Sequence, residues 1–235
     1  MKGPSFQLKK MIWLTAFCIA MGYLETSVVV YLRVIYYPDG FGFPLAPIDR
    51  SIATVEVWRE VATLVMLLGA GYIVGKSFIQ RFAFFIYSFA IWDIFYYIFL
   101  KILLDWPASF MTWDILFLLP VTWVGPVITP VIVSLSMILL AVVLLRKDNN
   151  TVNFKLKLFD WCLLILGSLV IITSFIWDYT SFVLQYHNWH ELWSLGKEDL
   201  FIISESYVPD NFNWPIFILG EGLCLITIIK IFKKS

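Results

Sequence analysis

The sequence predicts an all-α, polytopic transmembrane helix bundle of about six spans, the fourth preceded by a broken or re-entrant segment. Three observations carry this. Of 235 residues, 60% are hydrophobic and only 14% are charged, against about 45–50% and about 25% in soluble domains, and mean hydropathy is +0.83. Six apolar stretches approach or exceed the roughly 20 residues that a helix needs to cross the hydrocarbon core. The basic residues alternate between sides in step with those stretches. At this length the chain reads as one integral membrane domain, residues 1–235.

The spans are expected at residues 11–36, 53–75, 82–104, 127–145, 158–178 and 214–232. Lys9 and Lys10 precede the first. That stretch is too long for a signal-peptide core and has no small-residue cleavage site, which predicts a retained helix. In the second, Gly71-x-x-x-Gly75 is a candidate packing face. Before the fourth, the chain stays apolar from 113 to 145 but is interrupted by Pro120, Gly125, Pro126 and Pro130. Proline removes a backbone donor and breaks the helical ladder, so a short half-buried piece, a bend and then a full span are expected. Broken segments at membrane depth line cavities, because their freed backbone groups need partners. The plainer alternative is an interfacial segment leading into a kinked helix. Between spans, residues 38–52 are turn-rich, with three prolines and two glycines. Residues 180–213 predict a small outer cap or loop, with an amphipathic surface helix around Trp189 and Trp193.

With the N-terminus placed in the cytoplasm, the inner segments hold Lys2, Lys9, Lys10, Lys76, Arg81, Arg146, Lys147, Lys155, Lys157, Lys230, Lys233 and Lys234, twelve of the 17 Lys and Arg. This bias predicts both termini inside. Trp106, Trp113, Trp123, Trp177, Trp189, Trp193 and Trp214 fall toward the outer side, as an interfacial belt does.

Several function classes drop out. Zero formal net charge gives no electrostatic case for nucleic acid. Cys18, Cys162 and Cys224 each lie in an apolar run and read as packing residues. Walker, dinucleotide-binding and H-E-x-x-H patterns are missing. The two histidines, His187 and His190, sit in the outer loop, so no span carries an axial haem ligand. Their i, i+3 spacing beside Glu191 makes them candidate ligands for a divalent metal, the one cofactor the pattern suggests, although a pair of loop histidines is more often plain surface.

The informative feature is where ionisable residues enter the spans. Each costs roughly 2.5–3.5 kcal/mol on insertion scales. Glu25 lies about 17 Å from the outer end of its helix at the helical rise, Asp93 at a similar depth, and Glu60 and Glu221 about 10 Å deep. Glu56, Arg59, Arg33 and Lys101 lie nearer the surface, and the inner half holds only Asp160 near one end. Glu56, Arg59, Glu60 and Thr63 share one helix face, as do Asp93, Tyr97 and Lys101 with Tyr96 beside them. Glu221 is flanked by Gly220 and Gly222, which admit a close backbone.

These faces are expected to converge on one outward-opening polar pocket. Glu25, Glu56, Arg59, Glu60, Asp93 and Glu221 are its catalytic candidates. Arg33, Tyr96, Tyr97, Lys101 and Asp114 are its substrate-binding candidates, Asp114 coming from the Trp113-Asp114 pair at the outer interface. Five acids (Glu25, Glu56, Glu60, Asp93, Glu221) against three bases (Arg33, Arg59, Lys101) leave two carboxylates to take up protons or bind a cation; helix–helix glue is the bland alternative. An enzyme acting on a membrane lipid or small amphiphile fits this pattern, with Asp93 or Glu60 as base and Arg59 on an anionic head group. A proton- or cation-coupled carrier and a non-catalytic subunit docking partners through its cap are the alternatives. Partner subunits and self-association are left open.

Overall fold

The structure, a computed structural model, describes residues 4–119, 121–151, 154–186 and 206–233. They form α1 (Pro4–Tyr36), α2 (Arg50–Val74), α3 (Phe78–Leu104), β1 (Trp113–Phe117), β2 (Trp123–Pro126), α4 (Ile128–Asn150), α5 (Leu158–Tyr186) and α6 (Trp214–Lys233). All six helices contain a segment long and apolar enough to cross a membrane. The chain is therefore an all-α polytopic bundle and an integral membrane protein. Its outer surface agrees: Trp13, Leu24, Trp58, Ile73 and Ile218 are each more than half exposed, a distribution that water penalises and hydrocarbon does not.

Helix α3 is the hub. It packs against α1, α2 and α4; α4 continues onto α6, and α6 onto α5, while α1 and α2 scarcely touch. Its sequence explains this, because Ala83, Phe84, Ala90 and Leu100 are all fully buried along its length. The Gly71-x-x-x-Gly75 face is the α2 contact with α3. A Cβ at Gly71 would lie 2.7 Å from the Phe85 backbone nitrogen, and one at Gly75 would lie 2.5 Å from that of Arg81. Between α5 and α6 the close approach is at Gly167 and Gly220, where a Cβ on Gly220 would sit 2.9 Å from the Gly167 carbonyl oxygen. On the lysine-rich side Leu14, Cys18, Leu67, Ala83, Phe84, Leu144 and Ile231 belong to one apolar core. Asp160, fully buried near the start of α5, pairs there with Lys230 at 3.0 Å. Cys18, Cys162 and Cys224 are free thiols.

The segment before α4 is broken, as its prolines require, but as a β-hairpin rather than a piece of helix. Antiparallel β1 and β2 place Asp114 opposite Gly125, with an irregularity between Ile115 and Phe117. Pro126 closes β2, and Pro130 falls in the first turn of α4, where a missing N–H costs no helical bond. An isolated two-stranded hairpin is marginal; here tertiary contacts hold it. Val124 packs with Tyr179, Val183 and Tyr207, and the Trp123 ring stacks on Phe175 with centroids 6.0 Å apart. The strap at 206–213 is tied to α5 through Asp178, which accepts the Tyr207 hydroxyl at 2.6 Å and the Asp210 and Asn211 N–H groups at 3.4 Å. The surface helix expected around Trp189 and Trp193 lies outside the described residues.

Candidate functional site

A cavity of about 230 Å³ lies between α1, α2, α3, the hairpin and the connector at 37–48. Each wall delivers charge for a local reason. Helix α2 presents Glu56, Arg59 and Glu60 because a spacing of three and four puts them on one face. Helix α1 brings Glu25 and, two turns on, Arg33; helix α3 brings Asp93, Tyr96 and Tyr97; and β1 brings Asp114.

These groups are organised, not merely near. Arg59 is the hub of one cluster. It pairs with Glu56 at 2.7 Å and with Glu25 across the gap between α1 and α2, and Thr63 adds a hydroxyl to Glu25 at 3.3 Å. In the second cluster, Arg33 lies over Trp106 and Phe41 at 3.9 and 4.3 Å from the ring centroids. One of its amino groups reaches Asp114 at 3.5 Å, and Tyr97 donates to the other oxygen of that carboxylate at 3.1 Å. The remaining amino group, Nη1, is buried with no hydrogen-bond partner among the described residues. Burial pushes the Asp114 carboxyl up to about 6 even though Arg33 and the Tyr97 hydroxyl favour its charge. Asp114 is paired with Arg33.

Two acids lack a basic partner within ion-pair distance among the described residues. Glu60 takes the Leu118 backbone N–H on its two oxygens, at 3.0 and 3.1 Å. Asp93 accepts the Ser134 hydroxyl from α4 at 2.8 Å. The walls between these groups are apolar and aromatic, with Trp92, Phe41 and Phe117 among them.

Of the residues singled out in the sequence, Glu25, Arg33, Glu56, Arg59, Glu60, Asp93, Tyr96, Tyr97 and Asp114 line this one cavity. Two do not. Lys101 is exposed and pairs with Asp105 at 2.7 Å. Glu221 is buried on α6, where Ser136 donates to it at 2.9 Å, and its other oxygen has no partner among the described residues. Gly220 admits the α5 backbone there, whereas Gly222 faces open space. The charge balance therefore differs from the sequence count. The cavity holds five carboxylates (Glu25, Glu56, Glu60, Asp93, Asp114) and two guanidinium groups (Arg33, Arg59). His187 and His190 lie outside the described residues. Among the described residues no group of three or more His, Cys, Asp or Glu is arranged to hold a metal ion.

Sequence reasoning missed the partners more than the charges. The Leu118 amide carries no side-chain signal, and the Phe41–Trp106 clamp joins residues 65 positions apart. Ser134 could have been found as a polar residue within an apolar span. The chain matches no family model, no curated protein and no solved structure.

Proposed function

We propose that this protein is a membrane-embedded enzyme that takes a small amphiphile by its head group into the cavity and transforms it by general acid–base chemistry. The observation that carries this reading is the convergence of three helices and a hairpin on one cavity that holds two kinds of acid. Glu25 and Glu56 share the one guanidinium of Arg59, which braces α1 to α2. Glu60 and Asp93 have hydroxyl or amide donors and, among the described residues, no cation at ion-pair distance, so they can give up or accept a proton. They are the acid–base pair in this reading. The buried Nη1 of Arg33, unpartnered among the described residues, is the group that would take an oxygen acceptor of the head group, since an unsatisfied buried donor costs about 1–3 kcal/mol. Arg59 is already committed to two carboxylates, so this role passes to Arg33. A volume of about 230 Å³ falls below the roughly 300–1,000 Å³ of drug-sized sites. It suits a head group whose tail stays in the bilayer. The cavity faces the side opposite the lysine-rich ends, which the charge bias makes the outer leaflet.

Three carboxylates in excess of the guanidinium groups also favour a second reading, a proton- or cation-coupled carrier. The packed apolar core on the lysine-rich side argues against a through path. One experiment separates the two. Proteoliposomes made from a total lipid extract are incubated with wild type, Asp93→Asn and Glu60→Gln, and the lipids are followed by mass spectrometry. The enzyme reading expects one amphiphile to be consumed by wild type and the rate to fall about 10²–10⁴-fold in each variant. No change in any species, together with proton-driven uptake that both variants lose, would replace it with the carrier.

A further inference from the structure

The polar groups of the cavity do not satisfy one another. Arg33 is matched by Asp114, and Arg59 is shared by Glu25 and Glu56. Glu60 and Asp93 are left with no cation at ion-pair distance among the described residues. Glu60 has both oxygens on the Leu118 amide. Asp93 has one oxygen on the Ser134 hydroxyl, and its Oδ1 has no partner among the described residues. Two donors stand equally idle. Arg33 Nη1 and the indole Nε1 of Trp92 are buried without a hydrogen-bond partner among the described residues. Both side chains belong to residues more than nine-tenths buried, 8% and 7% exposed, and both line the cavity. Tyr96 lies one turn along α3 from Asp93 and Trp92 lies beside it, so two aromatic residues of the cavity wall border this carboxylate.

We infer that the substrate of this cavity is an amine-bearing lipid, its primary ammonium against Asp93 and a phosphate oxygen of the same head group on Arg33 Nη1 and Trp92 Nε1. The inference rests on the enzyme reading above and names the class of amphiphile taken. Charge and hydrogen bonding select this occupant together. A primary ammonium supplies three N–H donors and a positive charge that the faces of aromatic rings attract. A quaternary ammonium suits the rings but has no N–H for Oδ1. A neutral polyol fills hydrogen bonds yet leaves the excess of carboxylates uncompensated in an apolar setting. A metal ion does not qualify, because no three His, Cys, Asp or Glu among the described residues are arranged to hold one. The tail has an apolar way out. Helices α1 and α2 scarcely touch, and Val29, Leu32 and Ala53 line the cavity from those two helices.

The test uses a total lipid extract in two forms, untreated and acetylated at its primary amines with an amine-selective ester. The full chain is released from nanodiscs of each form, and retained lipid is read by native mass spectrometry. Wild type is expected to retain one amine-bearing lipid from the untreated extract and at least about tenfold less of its acetylated form, the worth of one charged hydrogen bond. Asp93→Asn is expected to abolish that preference. Trp92→Phe, which removes only the idle donor, is expected to lower retention about fivefold with the preference intact. Equal retention from the two extracts by wild type overturns the inference, as does no retention from either or a preference that Asp93→Asn leaves unchanged. Turnover in proteoliposomes of the same two extracts separates this inference from the reading it rests on. An amphiphile consumed equally from both extracts keeps the enzyme and removes the amine. Amine-dependent retention without consumption keeps the ligand class and removes the enzyme.

Discussion

Arg59 shows how single residues hold this molecule. It stands between Glu25 and Glu56, and few other ties join α1 to α2. Replacing it with glutamine strands two carboxylates in an apolar setting, where breaking a buried pair costs about 3–5 kcal/mol. Arg59→Gln is therefore expected to lower the denaturation midpoint of the purified protein markedly. Adding Glu25→Gln and Glu56→Gln should restore part of the loss, because neutral amides need no counter-charge. No recovery would mean that Arg59 acts through something other than this pairing. The stripe Glu56, Arg59, Glu60 and Thr63 was legible from spacing alone. Its division was not: Arg59 and Thr63 turn to Glu25, while Glu60 turns to the Leu118 amide. Helical periodicity says which residues share a face and leaves open what meets that face.

At the scale of elements, glycine placement decides which helices meet. Gly71 and Gly69 lie two residues apart on α2 and face opposite circumstances, one against the backbone of α3 and one against open space. Gly71→Leu is expected to destabilise the protein by about 1–3 kcal/mol through overpacking. Gly69→Leu should stay within about 0.5 kcal/mol of wild type. Thermal melts of the two variants in one detergent check this, and equal effects would contradict the placement of α2 on α3. The hairpin is the element that sequence reasoning located without identifying. Its prolines announce a break, but an apolar run broken by prolines is compatible with half a helix or with two short strands. What chose strands is packing on α5 through Val124 and Trp123, contacts from more than 50 residues away.

At the scale of the whole molecule, the polar groups are segregated along the bundle axis. The cavity with its carboxylates occupies one end, and the apolar core and most of the lysines occupy the other. We propose from the lysine bias that the start of α1 and the end of α6 both face the cytoplasm. A cysteine at Lys233 is then expected to react with an impermeant maleimide only after cells are opened, and one at Asp39, in the connector over the cavity, in intact cells. The reverse pattern would invert the orientation and put the cavity on the inner leaflet.

The sequence by itself determined that the chain enters a membrane, about how many times it crosses, and which ionisable residues fall in the long apolar helices. Those properties follow from transfer energies that each segment incurs on its own. Only the tertiary structure decided that nine of the chosen residues line one cavity while Glu221 and Lys101 stand apart. It also decided that Arg33 is clamped between two rings with a donor to spare. Those facts depend on how α1, α2 and the hairpin are set around α3. That setting comes from close contacts at a few glycines and buried rings, which local pattern does not encode.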